Sequence, residues 1–396
     1  MRESTTTAIA ALGFAARRRL ERERISGFPS ARHRMVFPHN KGFTGTTESQ
    51  VGDVFARAII ADSLCDARDT GATGLDATLN AECSYLVDRR QPNGIGAWSY
   101  FPDLPELPPD LDVLAQVMQV LIRCRRLADL RIHVEPPLAS VLRDGVRANG
   151  AIATWMIPAH NRSNAEARQA RFVETAWGDT EDVEVIANFL YALAIYGRNR
   201  FSRILRDGCC YIEGRQDDDG AWRSAWYVGP YYGTYVCARA LAAMGCDAAL
   251  GRARAFLFAA QRDDGGWGKG LLCSQLGTAL AICAICTIAE RIGKTSADHD
   301  RTENAVAALA ASHASQGWHA TPFIRMDVGR PREELGPELF YRSSAITAAY
   351  VLKAVAAVQR MTQPSDRTGL RAASSAYNRP THRESAAHRQ PPPIVP

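Results

Sequence analysis

The sequence predicts an all-α chain folded as a single (α/α)6 toroid, with six inner and six outer helices closing on themselves. Three observations predict it. Between residues 46 and 360 apolar segments of helical period are separated by Gly, Pro and Asp clusters, with hardly any β-branched alternation. One motif recurs, a Gln followed by a polar turn, a Gly, one residue and a Trp. It runs from Gln91 to Trp98, Gln216 to Trp222 and Gln261 to Trp267, with a shortened copy at Gln316, Gly317 and Trp318 and a degenerate one from Gly150 to Trp155. The helical segments also alternate in kind, amphipathic before each motif and apolar nearly all round after it.

Taken in order, residues 5–24 supply an amphipathic outer helix within an N-terminal segment, residues 1–45, and residues 51–65 an apolar inner one. The remaining pairs of outer and inner helices are 75–90 with 110–124, 133–147 with 182–196, 201–214 with 231–244, 250–261 with 274–292, and 302–315 with 343–358. A helix apolar on all faces must be buried, whereas a one-sided helix faces solvent. An open solenoid of such pairs would need polar capping repeats, which the sequence lacks. Each motif Gly stands where a helix ends and the chain reverses. The Trp is then expected to pack over the turn and the Gln to cap helix-end groups, a stapling role and not a catalytic one. The toroid is expected over residues 46–360. Residues 361–396, rich in Arg, Ser, His and Pro and ending in QPPPIVP, are expected to be a disordered tail.

Composition narrows the function classes. The 396 residues carry 47 basic and 42 acidic side chains, a net +5 that is too small to indicate a nucleic-acid partner. Most of the ten cysteines sit in apolar helical stretches, as core residues of a protein in a reducing, cytoplasmic compartment. Cys283 and Cys286 form one CxxC without a second ligand pair, so no zinc site is expected. At the N-terminus an acidic residue comes early and arginines follow the apolar run, the reverse of a secretory signal. The most apolar stretch, residues 277–289, is expected to be a buried helix and no transmembrane helix is expected.

Five blocks occur in an order that carries a family resemblance: PDLDVLAQVMQVL from Pro109, TEDVEVIANFLYAL from Thr180, DGAWRSAWYVGPYYGTYVCARALAAMG from Asp219, AAQRDDGGWG from Ala259, and GPELFYR ending at Arg342. Over residues 75–356 the chain resembles the catalytic C-terminal domain of the squalene-hopene cyclases and related class II terpene cyclases. It has no room for the second helical domain of the full-length enzymes. The resemblance implies a protonation-initiated terpene cyclase that cyclises a linear isoprenoid in an aromatic-lined cavity. It places the proton donor, the middle Asp of the DxDD motif, on Asp112. The motif's first Asp falls on Asp110, and a carboxylate that tunes the acid falls on Asp182. Both motif aspartates stand at the start of an inner helix, where free N–H groups and the macrodipole stabilise a carboxylate. Trp226, Tyr232 and Phe340 match aromatic wall residues, and Trp155, Trp177 and Tyr231 are further wall candidates.

Departures are visible as well. The motif's fourth position is Val113, the family's acid-contacting histidine falls on Ile186, and other aromatic positions fall on Pro230, Gly336, Ser344 and Thr347. The chemistry implied needs no cofactor, although a diphosphate substrate would bring Mg2+. The expected partner is the linear isoprenoid, with peripheral membrane contact through a lipid substrate and the oligomeric state left open. Two alternatives share the toroid. One is a degenerate, non-catalytic toroid binding a lipid or a protein partner, favoured by the missing motif Asp and His. The other is a zinc prenyltransferase, for which Cys273 has no Asp or His beside it.

Overall fold

In the computed structural model, residues 3–37, 49–91, 94–178, 180–268, 274–326 and 339–363 are described. Residues 364–396 of the expected tail lie outside the described residues, as do Cys273 and Gly336; the first two residues of that expected tail, Met361 and Thr362, are instead the end of the last helix, with Met361 buried. The chain opens with α1 (Glu3–Ile25), β1 (His33–Met35), β2 (Gln50–Gly52), α2 (Val54–Asp69), α3 (Asp76–Asp88) and α4 (Leu111–Arg123). Short helices α5 (Leu127–Asp129) and α6 (Glu135–Ser140) precede α7 (Asn164–Ala176), α8 (Val183–Gly197), α9 (Ser202–Gly214), α10 (Tyr231–Met244) and α11 (Asp247–Ala260). The last elements are α12 (Gln275–Ile292), α13 (Ser296–Gln316), β3 (Pro322–Met326), β4 (Leu339–Arg342) and α14 (Ser344–Thr362).

Helices α2, α4, α8, α10, α12 and α14 pack each against the next, and α14 returns to α2, so the inner layer is a closed ring. These are the six segments expected inside. Every residue of α4 from Leu111 to Leu121 is buried, as a helix surrounded on all sides requires. Helices α1, α3, α9, α11 and α13 form the outer layer with the α5–α6 run. Helix α1 lies on α14 and α13 through Ile9, Leu12, Ala16 and Leu20, spaced to share one face. Helix α12 is long and apolar enough to cross a membrane, but most of it is buried inside the ring.

The outer segment expected over residues 133–147 is broken into short α-helical pieces joined by π-helical turns at Leu130–Val134 and Val141–Gly145. Pro136 and Pro137 stand at the start of α6, where two missing N–H donors interrupt the helical ladder. Three features were not expected: α7, and the antiparallel ribbons β1–β2 and β3–β4. Helix α7 begins with a capping box between Ser163 and Glu166.

The repeated motifs act as staples, with one difference from expectation. The Trp98, Trp222 and Trp267 indoles each donate to a carbonyl of the preceding outer helix, at Leu86 (2.6 Å), Ile212 (2.8 Å) and Leu257 (2.9 Å). Gln216 donates to Gly220 O (2.8 Å) and Ala249 O (3.0 Å), and Gln261 to Gly265 O (2.7 Å) and Arg301 O (2.9 Å). Whereas Gln91 reaches Leu107 O in the loop before α4, Gln216 and Gln261 thereby tie their own turns to the following outer helix. That approach is close enough to demand glycine: a Cβ on Gly220, at φ +90°, would lie 2.4 Å from Arg252 O.

Closure of the ring rests on buried charge. Lys353 of α14 is hydrogen-bonded to Asp62 (2.5 Å) and to Asp66 of α2, and Arg123 of α4 reaches Asp62 (2.6 Å) and Asp66 (3.0 Å). Burial by itself would raise the Asp62 carboxyl, but Lys353 and Arg123 hold it well below the usual carboxylate range.

Two glycine substitutions separate close approach from helix propensity. Gly220→Ala is expected to destabilise by roughly 1–3 kcal/mol through strained φ and the clash with the neighbouring helix. Gly251→Ala, inside α11 where an added Cβ meets nothing within 4 Å, is expected to stabilise by roughly 0.5–1 kcal/mol. Urea denaturation of the two variants checks both signs.

Candidate active site

The ends of three loops cross where α4 and α8 begin. Leu111 N donates to Thr154 O (2.9 Å), Met156 N to Pro109 O (2.9 Å), and Thr154 N to Thr180 O (2.9 Å). Asp110 N donates to Trp98 O (3.0 Å), which hangs the start of α4 from the first stapled turn. Asp110 is the N-cap of α4: its Oδ1 accepts from Val113 N at 2.8 Å. Its Oδ2 is buried without a partner, and burial pushes the carboxyl up to about 8. Asp110 therefore carries its proton at neutral pH.

Asp112, in the first turn of α4, is 7% exposed. Its Oδ1 accepts from Asn188 Nδ2 (2.7 Å) and its Oδ2 from the Tyr227 hydroxyl (2.5 Å). Asn188 Nδ2 also donates to the Tyr232 hydroxyl (2.8 Å), and Asn188 Oδ1 accepts from Arg239 Nη2 (2.8 Å), so both ends of the amide are engaged. Burial pushes Asp112 up to about 6 against the downward pull of the Tyr227 and Asn188 hydrogen bonds; nearby Asp182 adds to the rise and Arg239 opposes it. The Tyr227 ring stacks on Tyr232 with centroids 3.8 Å apart. Phe323 of β3 lies 5.0 Å from Tyr227 and 5.3 Å from Tyr232, and Tyr350 of α14 lies 5.7 Å from Phe323. These four rings pack into one cluster beside Asp112. Beside Asn188 and Tyr232 is a cavity of about 10 Å³, bordered by Asp62, Gln116, Arg239 and Lys353. It is the size of one water molecule.

Asp182 stands at the N-cap of α8, and its Oδ2 accepts from Thr154 Oγ1, Thr180 Oγ1 and Trp226 Nε1, all at 2.8 Å. Trp226 joins Trp155 (5.9 Å, edge to face) and Trp177 (6.2 Å), and Trp155 stacks on Trp177 at 5.2 Å. The structure thus brings Trp155, Trp177 and Trp226 together beside Asp182, and Tyr232 beside Asp112. It does not bring Tyr231 or Phe340 to either carboxylate. Tyr231 is half-buried and turned toward the outer layer, 6.4 Å from Phe256 of α11. Phe340 lines an open groove with Arg32, Arg34 and Leu339. Its strand neighbour Tyr341 is the buried one, stacked 4.9 Å from His33, because successive strand residues face opposite sides.

A small sheet that the sequence reading missed covers the Tyr227 and Tyr232 rings through Phe323. Val228 N donates to Phe323 O (2.9 Å) and Arg325 N to Trp226 O (2.8 Å), which adds the 225–228 segment to the edge of β3–β4. Glu184, on the first turn of α8, anchors this segment. Its Oε1 accepts from Ala225 N (2.8 Å) and Trp226 N (3.1 Å). Its Oε2 is buried without a partner, and burial pushes the carboxyl up to about 8. Asn188, Tyr227, Phe323, Glu184 and Arg239 were not singled out from sequence. A signal existed for two of them: Glu184 and Asn188 are polar residues four apart on an otherwise apolar helix, hence on one face.

Among the described residues no group of three or more His, Cys, Asp or Glu side chains is arranged to hold a metal ion.

Comparison with known proteins bears on the family. Residues 90–314, more than half of the chain, match the family model of the squalene-hopene cyclase C-terminal domain. The squalene-hopene cyclase of Zymomonas mobilis is 29% identical over 178 residues, 44% of this chain and 27% of that protein. Terpentedienyl-diphosphate synthase of Kitasatospora griseola is 36% identical over 100 residues, 23% of this chain and 19% of that protein. The matches thus span about a quarter or less of these relatives' own lengths. In fold, the chain is similar to the type II terpene cyclase MstE from Scytonema, with a TM-score of 0.66 at 16% identity over 90% of this chain and 99% of that one. A single-substitution variant of that enzyme has been solved with geranylgeranyl dihydroxybenzoate as substrate (TM-score 0.65, 16% identity, 91% of this chain and 100% of that one). With four of its six inner helices, α4, α8, α10 and α12, and the Asp110–Asp112 start of α4 inside the matched region, the chain belongs to the squalene-hopene cyclase C-terminal domain family.

Proposed function

We propose that this protein is a class II terpene cyclase in which the Asp112 carboxyl protonates the terminal alkene of a linear isoprenoid. One observation carries the reading: a carboxyl sealed from water, placed against a stack of aromatic rings, with one neutral donor on each oxygen. In the first step the alkene π pair takes the Asp112 proton, a C–H bond forms and a tertiary cation is left on the adjacent carbon. Successive alkenes then close rings onto the cation, which ends by losing a proton or capturing water. The Asp112 carboxylate left behind keeps its hydrogen bonds from Asn188 and Tyr227, and these strengthen as charge develops. A buried acid is shielded from bulk water, so the alkene competes for its proton.

The rings of Tyr227, Tyr232, Phe323 and Tyr350 offer π faces to a cation at ~0.5–2 kcal/mol each when desolvated. Trp155, Trp177 and Trp226 form a second aromatic wall beside Asp182, whose Oδ2 accepts from three donors. In this reading Asp110 positions the start of α4, and Tyr231 and Phe340 serve the outer layer and the covering sheet. The working unit is the toroid of residues 46–360 with the outer helix supplied from residues 1–45. A relative that holds a geranylgeranyl chain supports a substrate of isoprenoid class. Nine free thiols among the described residues, with the Cys65 and Cys124 sulfurs 3.7 Å apart, support a reducing, cytoplasmic setting.

Three outcomes are expected. With farnesyl diphosphate, geranylgeranyl diphosphate and squalene as candidates and mass spectrometry as readout, Asp112→Asn should lower turnover by about 10²–10⁴-fold; full activity in the variant would sink the assignment. Because the protonated carboxyl is the active form, the rate should be flat below a pH of about 6 and fall as pH rises through that value. Glu184 gives a stability counterpart. Its folded value of about 8 lies above its ordinary 4.5, so the stability tied to its proton is full below 4.5 and is lost as pH rises through 8. Glu184→Gln keeps an acceptor for Ala225 and Trp226 but cannot ionise. At pH 9 it should be more stable than the parent by roughly 2–4 kcal/mol, with the difference fading toward pH 4.5 in urea denaturation.

A further inference from the structure

We infer that Arg239 is a positioning residue for the acid: through the Asn188 amide it fixes which way the donor faces Asp112 and lends that donor positive charge. The inference rests on the proposed role of Asp112 and adds to it a residue on a different helix that touches neither the acid nor the space above it.

Arg239 stands two turns after Tyr232 on α10, so both project from the same inner face. Its guanidinium is buried between the rings of Tyr191 (4.1 Å) and Tyr235 (5.2 Å), and its Nε has no partner. Among the described residues no carboxylate forms an ion pair with it. A buried arginine in that condition is expensive unless its remaining contact does something specific. That contact is Nη2 to Asn188 Oδ1, at 2.8 Å.

The geometry explains the use. A primary amide has a donor end and an acceptor end, and a guanidinium can satisfy only the acceptor. With Oδ1 held by Arg239, both hydrogens of Nδ2 are directed at Asp112 Oδ1 and the Tyr232 hydroxyl. The opposite rotamer would set an oxygen against Asp112 and an N–H₂ against a cation. Hydrogen-bonding a cation to the amide oxygen also draws electron density from the nitrogen, making its N–H a stronger donor. A stronger donor favours the carboxylate over the carboxylic acid. Its effect is largest after the proton has left, which is the differential stabilisation that raises kcat.

The surroundings allow this charge to be felt at Asp112. The acid is faced by Asp110 of its own N-cap, Asp182 and Glu184 of α8, Tyr100 and Tyr227 from the covering segments, and Tyr232 of α10. Those groups are neutral or anionic. Arg239 is faced by Asp62 of α2, Tyr191 of α8, and Tyr350 and Lys353 of α14, and Asp62 is already committed to Lys353 and Arg123.

The test compares Arg239→Gln, Arg239→Lys, Arg239→Met and Asn188→Ala with the parent by kcat and KM against pH on whichever isoprenoid the parent converts. In Arg239→Gln, loss of the cation weakens the donor, so the falling limb near pH 6 should move up by about one unit, plateau kcat should drop by about 10–100-fold and KM should stay within about twofold. Arg239→Lys should restore part of the limb shift. An unmoved limb in folded Arg239→Gln, or a loss that appears in KM, overturns the inference while leaving Asp112 as the acid. If Arg239→Gln does not fold, Arg239→Met, which keeps a buried stem and removes the charge, carries the test: its limb should move up by less than that of Asn188→Ala, which removes the donor itself, and an unmoved limb in Arg239→Met again overturns the inference. If the parent converts no isoprenoid, the cyclase reading itself fails. The inference is then read from the Asp112 carboxylic C=O infrared band, assigned by its loss in Asp112→Asn. Its disappearance with rising pH should come later in Arg239→Gln than in the parent, and coincidence of the two titrations overturns it.

Discussion

Closure of the inner ring is the constraint on which the rest of the molecule depends. An apolar helix has no register of its own, and the first and last members of the ring, α2 and α14, lie far apart in sequence. The join is made by charge: Lys353 enters between Asp62 and Asp66, and Arg123 of α4 pins the same carboxylates from the other side. Such a network contributes little net stability over a well-packed apolar alternative, but breaking one partner strands the others in a dry interior. It therefore specifies which faces of α2, α4 and α14 meet. The glutamine and tryptophan staples do the equivalent in the outer layer, each fixing one repeat against its neighbour.

Ring closure also creates the condition for an acid. Inside the ring, a polar column runs from Lys353 and Asp62 past Arg239 to Asn188 and ends at Asp112. Two opposing demands meet there. Burial raises the Asp112 carboxyl and so favours its protonated form at mildly acidic pH, but the same burial makes the carboxylate a poor leaving state. The donors from Asn188 and Tyr227 relieve the second demand while returning only part of the first, and the carboxyl settles at about 6. A histidinium in their place would add a full charge directly at the acid. Here the nearest cation is one amide removed, so its effect is graded through a hydrogen bond.

How much of this was legible in the sequence follows from the physics of each part. The inner helices were legible because burial on all faces leaves long apolar runs, and α10 begins and ends where the reading placed it. The covering sheet was not. Its pieces are three to five residues long, and they pair across large separations, Phe323 with Val228 and Ile324 with Tyr341. Local pattern has no access to such partners. The break in the outer run before α7 was readable in principle, since Pro136 and Pro137 cannot continue a helical ladder.

The site was legible in half. Asp112 and Asp182 were reached through the family motif, and both stand at helix starts, whereas the donors on Asp112 had to be found by helix geometry. Matching the motif position by position led to Ile186 and an apparent gap in the hydrogen-bonding shell. Residues 186 and 188 are about 200° apart around a helix, so they face opposite sides. Ile186 is buried in the apolar packing, while Asn188, four residues after Glu184, faces the axis. A vacancy at one motif position is therefore no evidence of a lost acid, because a neighbouring position on the correct face, backed here by Arg239 from the adjacent helix, can supply the missing donor.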